Sequence, residues 1–215
     1  MSNSFFSETQ TLSQLASYAH QFYSRGWMAA TAGNLSAKLS DNPLEYAVTP
    51  SGVNKGELRP DDFLRMRPTL EVLRGAKGLR PSAETAIHEA IYKSVPEAGA
   101  VFHVHLVHAA VVSSGYPQPT TPQLLEIEWF EMLKAVGVGE EKGNGKIGLF
   151  PNWQDIPRVG NDIEHYLAEH PASLPAVLIY NHGLSIWGKT MEQARNHVEA
   201  FEYIFQYLYL KSTKR

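Results

Sequence analysis

The tightest constraint on this chain is a short apolar run, Ala100-Val101-Phe102-His103-Val104-His105-Leu106, broken only by two histidines placed two residues apart. A run of this length and composition reads as a buried strand, and a strand sends alternate side chains to the same face. His103 and His105 therefore share a face with their Cα atoms roughly 7 Å apart, near enough for both imidazoles to reach one ion at about 2 Å. The competing reading is a pair of core histidines. It is the weaker one, because two unpartnered imidazoles buried side by side would cost several kcal/mol.

The composition limits what could complete such a site. The chain contains no cysteine, so thiolate ligands and disulfides are both excluded and any metal must be held by His, Asp or Glu. Its 215 residues suit one domain, residues 1–215, and 43% apolar with 19% charged residues is an ordinary globular balance. The formal charge of −3 is spread without long runs of one sign, which asks for neither nucleic acid nor an anionic membrane as partner. No basic segment followed by an apolar one opens the sequence, and no apolar stretch approaches the roughly 18 residues a spanning helix needs, so a cytoplasmic location is expected.

Along the chain, Ser7 and Gln10 have capping-box spacing, and Leu12, Leu15, Ala16, Ala19, Phe22 and Tyr23 then recur at helical spacing up to Gly26. Strands are predicted around Leu35–Leu39, Tyr46–Thr49, Phe63–Met66 and Glu71–Leu73, separated by Gly, Pro, Asn and Asp. A helix is expected from Ser82 to just before Pro96, then the histidine-bearing strand, then a Pro-rich turn from Tyr116 to Pro122. Beyond it the pattern predicts a helix over Ile127–Val136, a mobile Gly-rich loop over Gly137–Gly148 and a helix over Pro157–Glu169. Strands over Ala176–Tyr180 and Leu184–Trp187 and a closing helix over Thr190–Leu210 complete it. Irregular alternation with hairpin-like pairs fits an α/β fold of three layers, α/β/α, around a central, mostly antiparallel sheet.

A third ligand is suggested by Asn181-His182-Gly183, at the end of an apolar strand and before a glycine that permits a sharp turn. Two histidines from one strand and one from another would leave a coordination position open for a substrate oxygen. Glu84 falls near the start of its helix, where the dipole favours a carboxylate, and is a secondary catalytic candidate. Three small-residue turns could bind an oxyanion: Thr31-Ala32-Gly33-Asn34-Leu35-Ser36, Thr49-Pro50-Ser51-Gly52 and Pro81-Ser82-Ala83. Gly33, Asn34, Ser51, Gly52 and Ser82 are their binding candidates, and Lys55 could add charge. Glu126, Glu128 and Glu131 lie in one segment, and spacing does not choose a general acid or base among them. His108 has no specified direction, and His20, His165, His170 and His197 read as solvated or packing residues.

Taken in order, Gly33-Asn34-Leu35-Ser36, Thr49-Pro50-Ser51-Gly52, Pro81-Ser82-Ala83-Glu84, the His103/His105 pair and His182-Gly183 resemble the class II aldolase and adducin family, over nearly the whole chain. The segments from Phe130 to Ala135 and from Phe150 to Arg158 resemble a branch of it that dehydrates a phosphorylated ketose. The resemblance implies an α/β/α fold, a homotetramer with active sites between neighbours, and one Zn²⁺ per subunit on His103, His105 and His182. It also implies a small phosphorylated sugar as substrate, and it selects Glu131 as acid/base. In this chain Val104 and Leu106 replace the small polar residues usual around the two histidines, and Trp153 stands where an acid is common. An aldolase or epimerase for another sugar phosphate, and a non-catalytic adducin-like interaction module, are the alternative readings.

Overall fold

A computed structural model describes residues 7–214. The first helix, α1 (Glu8–Ser24), opens with the capping box: the Ser7 hydroxyl accepts from the Gln10 backbone N–H while the Gln10 side chain accepts from the Ser7 N–H. Four strands follow, β1 (Asn34–Asp41), β2 (Leu44–Val48), β3 (Leu64–Arg67) and β4 (Glu71–Arg74), then α2 (Thr85–Ser94) and β5 (Ala100–Val104). The second half runs through α3 (Val107–Ser114), β6 (Gln123–Ile127), β7 (Gly145–Phe150), α4 (Ile156–Glu169), β8 (Ala176–Ile179), β9 (Gly183–Gly188) and α5 (Met191–Thr213). Thr190 caps α5 through its side chain, and Asp155 caps α4 ahead of Pro157, whose missing N–H costs nothing in a first turn.

Among the described residues nine strands join one sheet in the order β4-β3-β2-β1-β5-β9-β8-β7-β6, and only the β7–β8 pair there is parallel. The pleat sorts side chains into two cores. Phe102 and Val104 pack with Leu15 of α1, Ala109 of α3 and Phe201 of α5, whereas Val101 packs with Ile87 of α2 and Val159 of α4. The result is the three-layer, mostly antiparallel arrangement expected. Because β5 is central and alternates, His103 falls on the α2 side of the sheet, at the strand end where Glu84 precedes α2. Among the described residues no helix is long and apolar enough to cross a membrane.

Two sequence expectations fail in the second half, and one element there was not foreseen. Residues 127–136 do not form a helix: Gln123–Ile127 is an edge strand paired with β7, and Glu131–Val136 is a short 3₁₀ segment ended by Gly137 at φ 87°. Part of the expected Gly-rich loop is the strand β7, largely buried. Its Gly148 reads as a breaker in sequence but is needed for packing, since a Cβ there would lie 2.6 Å from Phe150 and 2.8 Å from Tyr166. Helix α3, only eight residues long, carried no amphipathic signal and was not foreseen.

The two-core arrangement predicts a graded response to truncation. Ile163 of α4 is fully buried and Ile163→Ala should cost about 2–5 kcal/mol. Val72 on edge strand β4 is 45% exposed, and Val72→Ala should change stability by no more than about 0.5 kcal/mol. Urea denaturation of both variants checks the contrast, and equal losses would contradict the layering.

Candidate metal centre

The site forms where β5 and β9 end together. His103 pairs with Ser185 and Val104 with Leu184 across these antiparallel strands, and the turn from β8 to β9 delivers His182. That turn is forced into shape by two residues. Asn181 sits at φ +50°, and Gly183 lies so close beneath β5 that a Cβ on it would fall 2.4 Å from the Val104 carbonyl oxygen. His105, just past the strand end, is anchored by its backbone N–H donating to the Trp27 carbonyl at 2.8 Å.

Three imidazoles converge there. Nε2 of His105 is 3.1 Å from Nε2 of His103 and 3.1 Å from Nε2 of His182. Glu84 Oε1 lies 3.2 Å from His182 Nε2 and 3.5 Å from His103 Nε2, closing a four-atom group that could hold a metal ion. A tetrahedral ion bound at 2.0–2.1 Å needs ligand–ligand edges of about 3.3–3.4 Å, and the observed set spans that value. His103 Nδ1 bonds to Ser185 Oγ at 3.0 Å, which leaves Nε2 facing His105 Nε2. The donor set fits a divalent cation.

The electrostatics agree. Burial pushes the His103 imidazole below its usual range, and burial with the neighbouring His103 and His182 takes His105 down to about 3, so both are neutral near pH 7. Burial works against the Glu84 carboxylate, but the surrounding histidines outweigh it and hold its carboxyl well below the ordinary carboxylate range. One carboxylate and three imidazole nitrogens thus meet in a half-buried hollow. Glu84 stands just before α2 rather than inside its first turn, so its carboxylate turns to the histidines instead of the helix dipole.

The three small-residue turns come together beside this group. Pro50 and Pro81 form an isolated antiparallel bridge, and the Ser51 N–H donates to the Arg80 carbonyl at 2.8 Å, which sets the Ser51-Gly52 turn against Ser82. The Ser82 hydroxyl accepts from the Glu84 N–H at 3.3 Å. Lys55 departs from the expectation that it adds free charge. It is buried, its Nζ donates to the carbonyls of Thr31 and Val53, each at 2.9 Å, and burial lowers it to about 8. It ties the Gly33 turn to the Ser51 turn. Asn34 is likewise engaged, its Nδ2 donating to Glu84 Oε2 at 2.7 Å.

Glu131 is not brought to the histidines of its own chain: its side chain is 78% exposed and pairs with Lys134 at 3.1 Å. Glu128 pairs with Lys211, and Glu126 lies on β6. His108 pairs with Glu202, while His20, His165, His170 and His197 each bond a nearby backbone carbonyl. A cavity of about 690 Å³ opens between α3, β6 and α5 beside Glu126 and Glu128, and none of the four converging residues lines it. Sequence reading passed over His88, which lies fully buried behind Glu84. Its spacing four residues after Glu84 and four before Tyr92, one helix face, was the available signal.

A three-layer α/β protein with a histidine and carboxylate group that could hold a divalent cation is the class that fold and site define. Residues 13–209 match the family described as Class II Aldolase and Adducin N-terminal domain. The chain is 40% identical over 195 residues to the methylthioribulose-1-phosphate dehydratase of Microcystis aeruginosa, covering 90% of this chain and 92% of that one. It is 41% identical over 182 residues to the enzyme so named from Methylococcus capsulatus, covering 84% of each. Among solved structures, YgbL from Escherichia coli superposes with a TM-score of 0.75 at 26% identity, covering 94% of this chain and 90% of that one. The L-fuculose 1-phosphate aldolase from Glaciozyma antarctica gives 0.73 at 21%, covering 100% and 80%, a likeness of fold. The chain belongs to the class II aldolase and adducin family.

The convergence predicts that chelator-stripped protein takes up one Zn²⁺ per chain and is stabilised by about 2.7 kcal/mol at a free zinc concentration 100-fold above Kd. His105→Ala, altered beyond the end of β5, should keep the fold and lose both effects. Elemental analysis with thermal melts checks this, and full zinc content in His105→Ala would remove His105 from the set.

Proposed function

We propose that this protein is a methylthioribulose-1-phosphate dehydratase, a zinc-dependent hydro-lyase of methionine salvage that converts 5-methylthioribulose 1-phosphate to 2,3-diketo-5-methylthiopentyl 1-phosphate. The observation that carries this reading is the meeting of His103, His105, His182 and Glu84 at one point, in a chain whose near full-length relatives bear that enzyme's name. The fit of three imidazole nitrogens to about 2 Å bonds favours zinc among divalent cations in a site without thiolates.

The reaction removes the proton on carbon 3 and the hydroxyl on carbon 4 as water, and the enol left behind becomes the second ketone. His103, His105 and His182 would hold a divalent ion, which would supply Lewis acidity toward the ketone oxygen and so acidify the adjacent C–H. Glu84, ionised and held beside the histidines, contributes negative charge to the same point. The departing hydroxyl needs a proton, and Glu131 is assigned to deliver it. Its exposure in a single chain suits a group presented to the cluster of a neighbouring subunit, and a homotetramer with sites between subunits is part of the proposal. The phosphate is assigned to the Gly33, Ser51-Gly52 and Ser82 turns, which offer hydroxyls and backbone N–H groups, with Lys55 holding two of them in place. The complete donor set argues against a non-catalytic adducin-like module.

Incubation with 5-methylthioribulose 1-phosphate should yield the diketone, and chelation should stop it. Glu131→Gln should lower kcat by about 10²–10⁴-fold with zinc retained, while Glu126→Gln and Glu128→Gln stay within a few-fold of the parent. Cleavage of a carbon–carbon bond in place of water loss would make the protein an aldolase, and an unimpaired Glu131→Gln would move the acid elsewhere.

A further inference from the structure

Behind the four converging groups lies a line of buried polar side chains that the reaction as described does not use. Asn34 Nδ2 donates to Glu84 Oε2, and on its other side Asn34 Oδ1 is in hydrogen-bond contact with His88 Nε2. Nδ1 of His88 is 2.6 Å from Ser36 Oγ, and that oxygen is 2.8 Å from the Tyr92 hydroxyl. Asn34, Ser36, His88 and Tyr92 are all buried, at 1%, 0%, 0% and 2% exposure, so these bonds are shielded from bulk solvent.

The direction of every bond follows from its end. An ionised carboxylate only accepts, so Asn34 must turn its NH₂ to Glu84 and its carbonyl to His88. A carbonyl also only accepts, so the proton between Asn34 and His88 belongs to His88 Nε2. Burial drives the His88 imidazole down to about 3, so it is neutral and Nδ1 is bare. Ser36 must then donate its single proton to Nδ1 at 2.6 Å in preference to the Val101 carbonyl at 3.4 Å, and its oxygen must accept from Tyr92. Each group donates to the next: Tyr92 to Ser36, Ser36 to His88, His88 to Asn34, Asn34 to Glu84. Reversing one bond would set two donors or two acceptors face to face in a buried site, which costs about 1–3 kcal/mol for each unsatisfied group.

We propose that His88 is a positioning residue for the metal centre: as the Nε2–H tautomer, supported by Ser36 and Tyr92, it locks the Asn34 amide so that Glu84 Oε2 is held from behind and Oε1 is aimed at His103 and His182. The line runs from the α2 helix across β1 to the site, so the aim of Glu84 is set by buried groups remote from substrate. Outer partners that orient metal ligands typically govern affinity or activity by 10–100-fold. The proposal rests on the reading of the cluster as a metal centre. It is tested first by zinc binding alone, so that loss of the relay and failure of the dehydratase assignment give different results.

In ¹⁵N-histidine spectra of the unmodified protein, His88 should appear as a neutral imidazole protonated at Nε2, with that proton protected from exchange. His88→Leu should weaken zinc binding about 10–100-fold and lower kcat with KM little changed. His88→Gln, whose amide nitrogen can reach Asn34 Oδ1 from the Nε2 position, should recover most of the loss. Tyr92→Phe leaves the Ser36 proton on His88 and should have a smaller effect. If His88→Leu does not fold, the tautomer and the His88→Gln zinc affinity still decide. An Nδ1–H or doubly protonated His88, or zinc affinity in His88→Leu equal to the parent's, would overturn the relay. Parent protein that binds zinc and shows the expected tautomer yet fails to dehydrate the substrate would refute the assigned reaction and leave the relay standing.

Discussion

The ladder between β5 and β9 is the contact on which the rest of this molecule depends. Its last pairs, His103 with Ser185 and Val104 with Leu184, place one histidine in the sheet and the β8–β9 turn immediately alongside. Gly183 must pass within contact of the Val104 carbonyl, and only a residue without a Cβ can do so. With that approach made, His182 arrives opposite His105 at 3.1 Å. Without it, a residue 77 positions away in sequence would have no fixed relation to the strand pair. The same central position lets β5 separate its functions by the pleat: Phe102 and Val104 bind the α1, α3 and α5 layer, and His103 faces the other way.

Burial shapes the charge at the site, and hydrogen bonds hold Glu84 and His103 there while the buried His182 Nδ1 has no hydrogen-bond partner among the described residues. Three imidazoles and one carboxylate give a concave group of the kind that suits a divalent cation while leaving it Lewis acidity toward substrate. Around it, Lys55 shows the opposite use of a charged residue. Its ammonium is spent on backbone carbonyls of two loops, where it fixes their spacing and does not reach outward. Buried polar groups of this kind are costly unless every one is paired, so they impose a specific geometry on the loops that carry the small-residue turns.

Elements with clean periodicity were legible in the sequence. The capping box of α1, strands β1 to β5 and the long α5 each carry a local signal that agrees with their tertiary environment. The His103, His105 and His182 convergence was also foreshadowed, because strand alternation and a turn glycine are local features. What failed was decided at a distance. Gly145 and Gly148 resemble loop residues because their lack of a side chain is used to fit Leu133, Leu174, Phe150 and Tyr166, none of which is a sequence neighbour except Phe150. The edge strand β6 buries little, so it lacks the alternation that marks a strand. Lys55 looked like a solvated or phosphate-seeking cation, and nothing within a few residues announces the carbonyls that enclose it. His88 was hidden in a plain amphipathic helix, and its meaning depends on Asn34 and Ser36 from another strand.

The central claim is that His103, His105, His182 and Glu84 form one metal centre. X-ray absorption at the zinc edge on the reconstituted protein tests it most directly, since it reports ligand type and distance at the metal itself. The account predicts three imidazole nitrogens at about 2.0–2.1 Å with oxygen completing the shell. A shell of oxygens alone, or one dominated by fewer than two imidazoles, would contradict it.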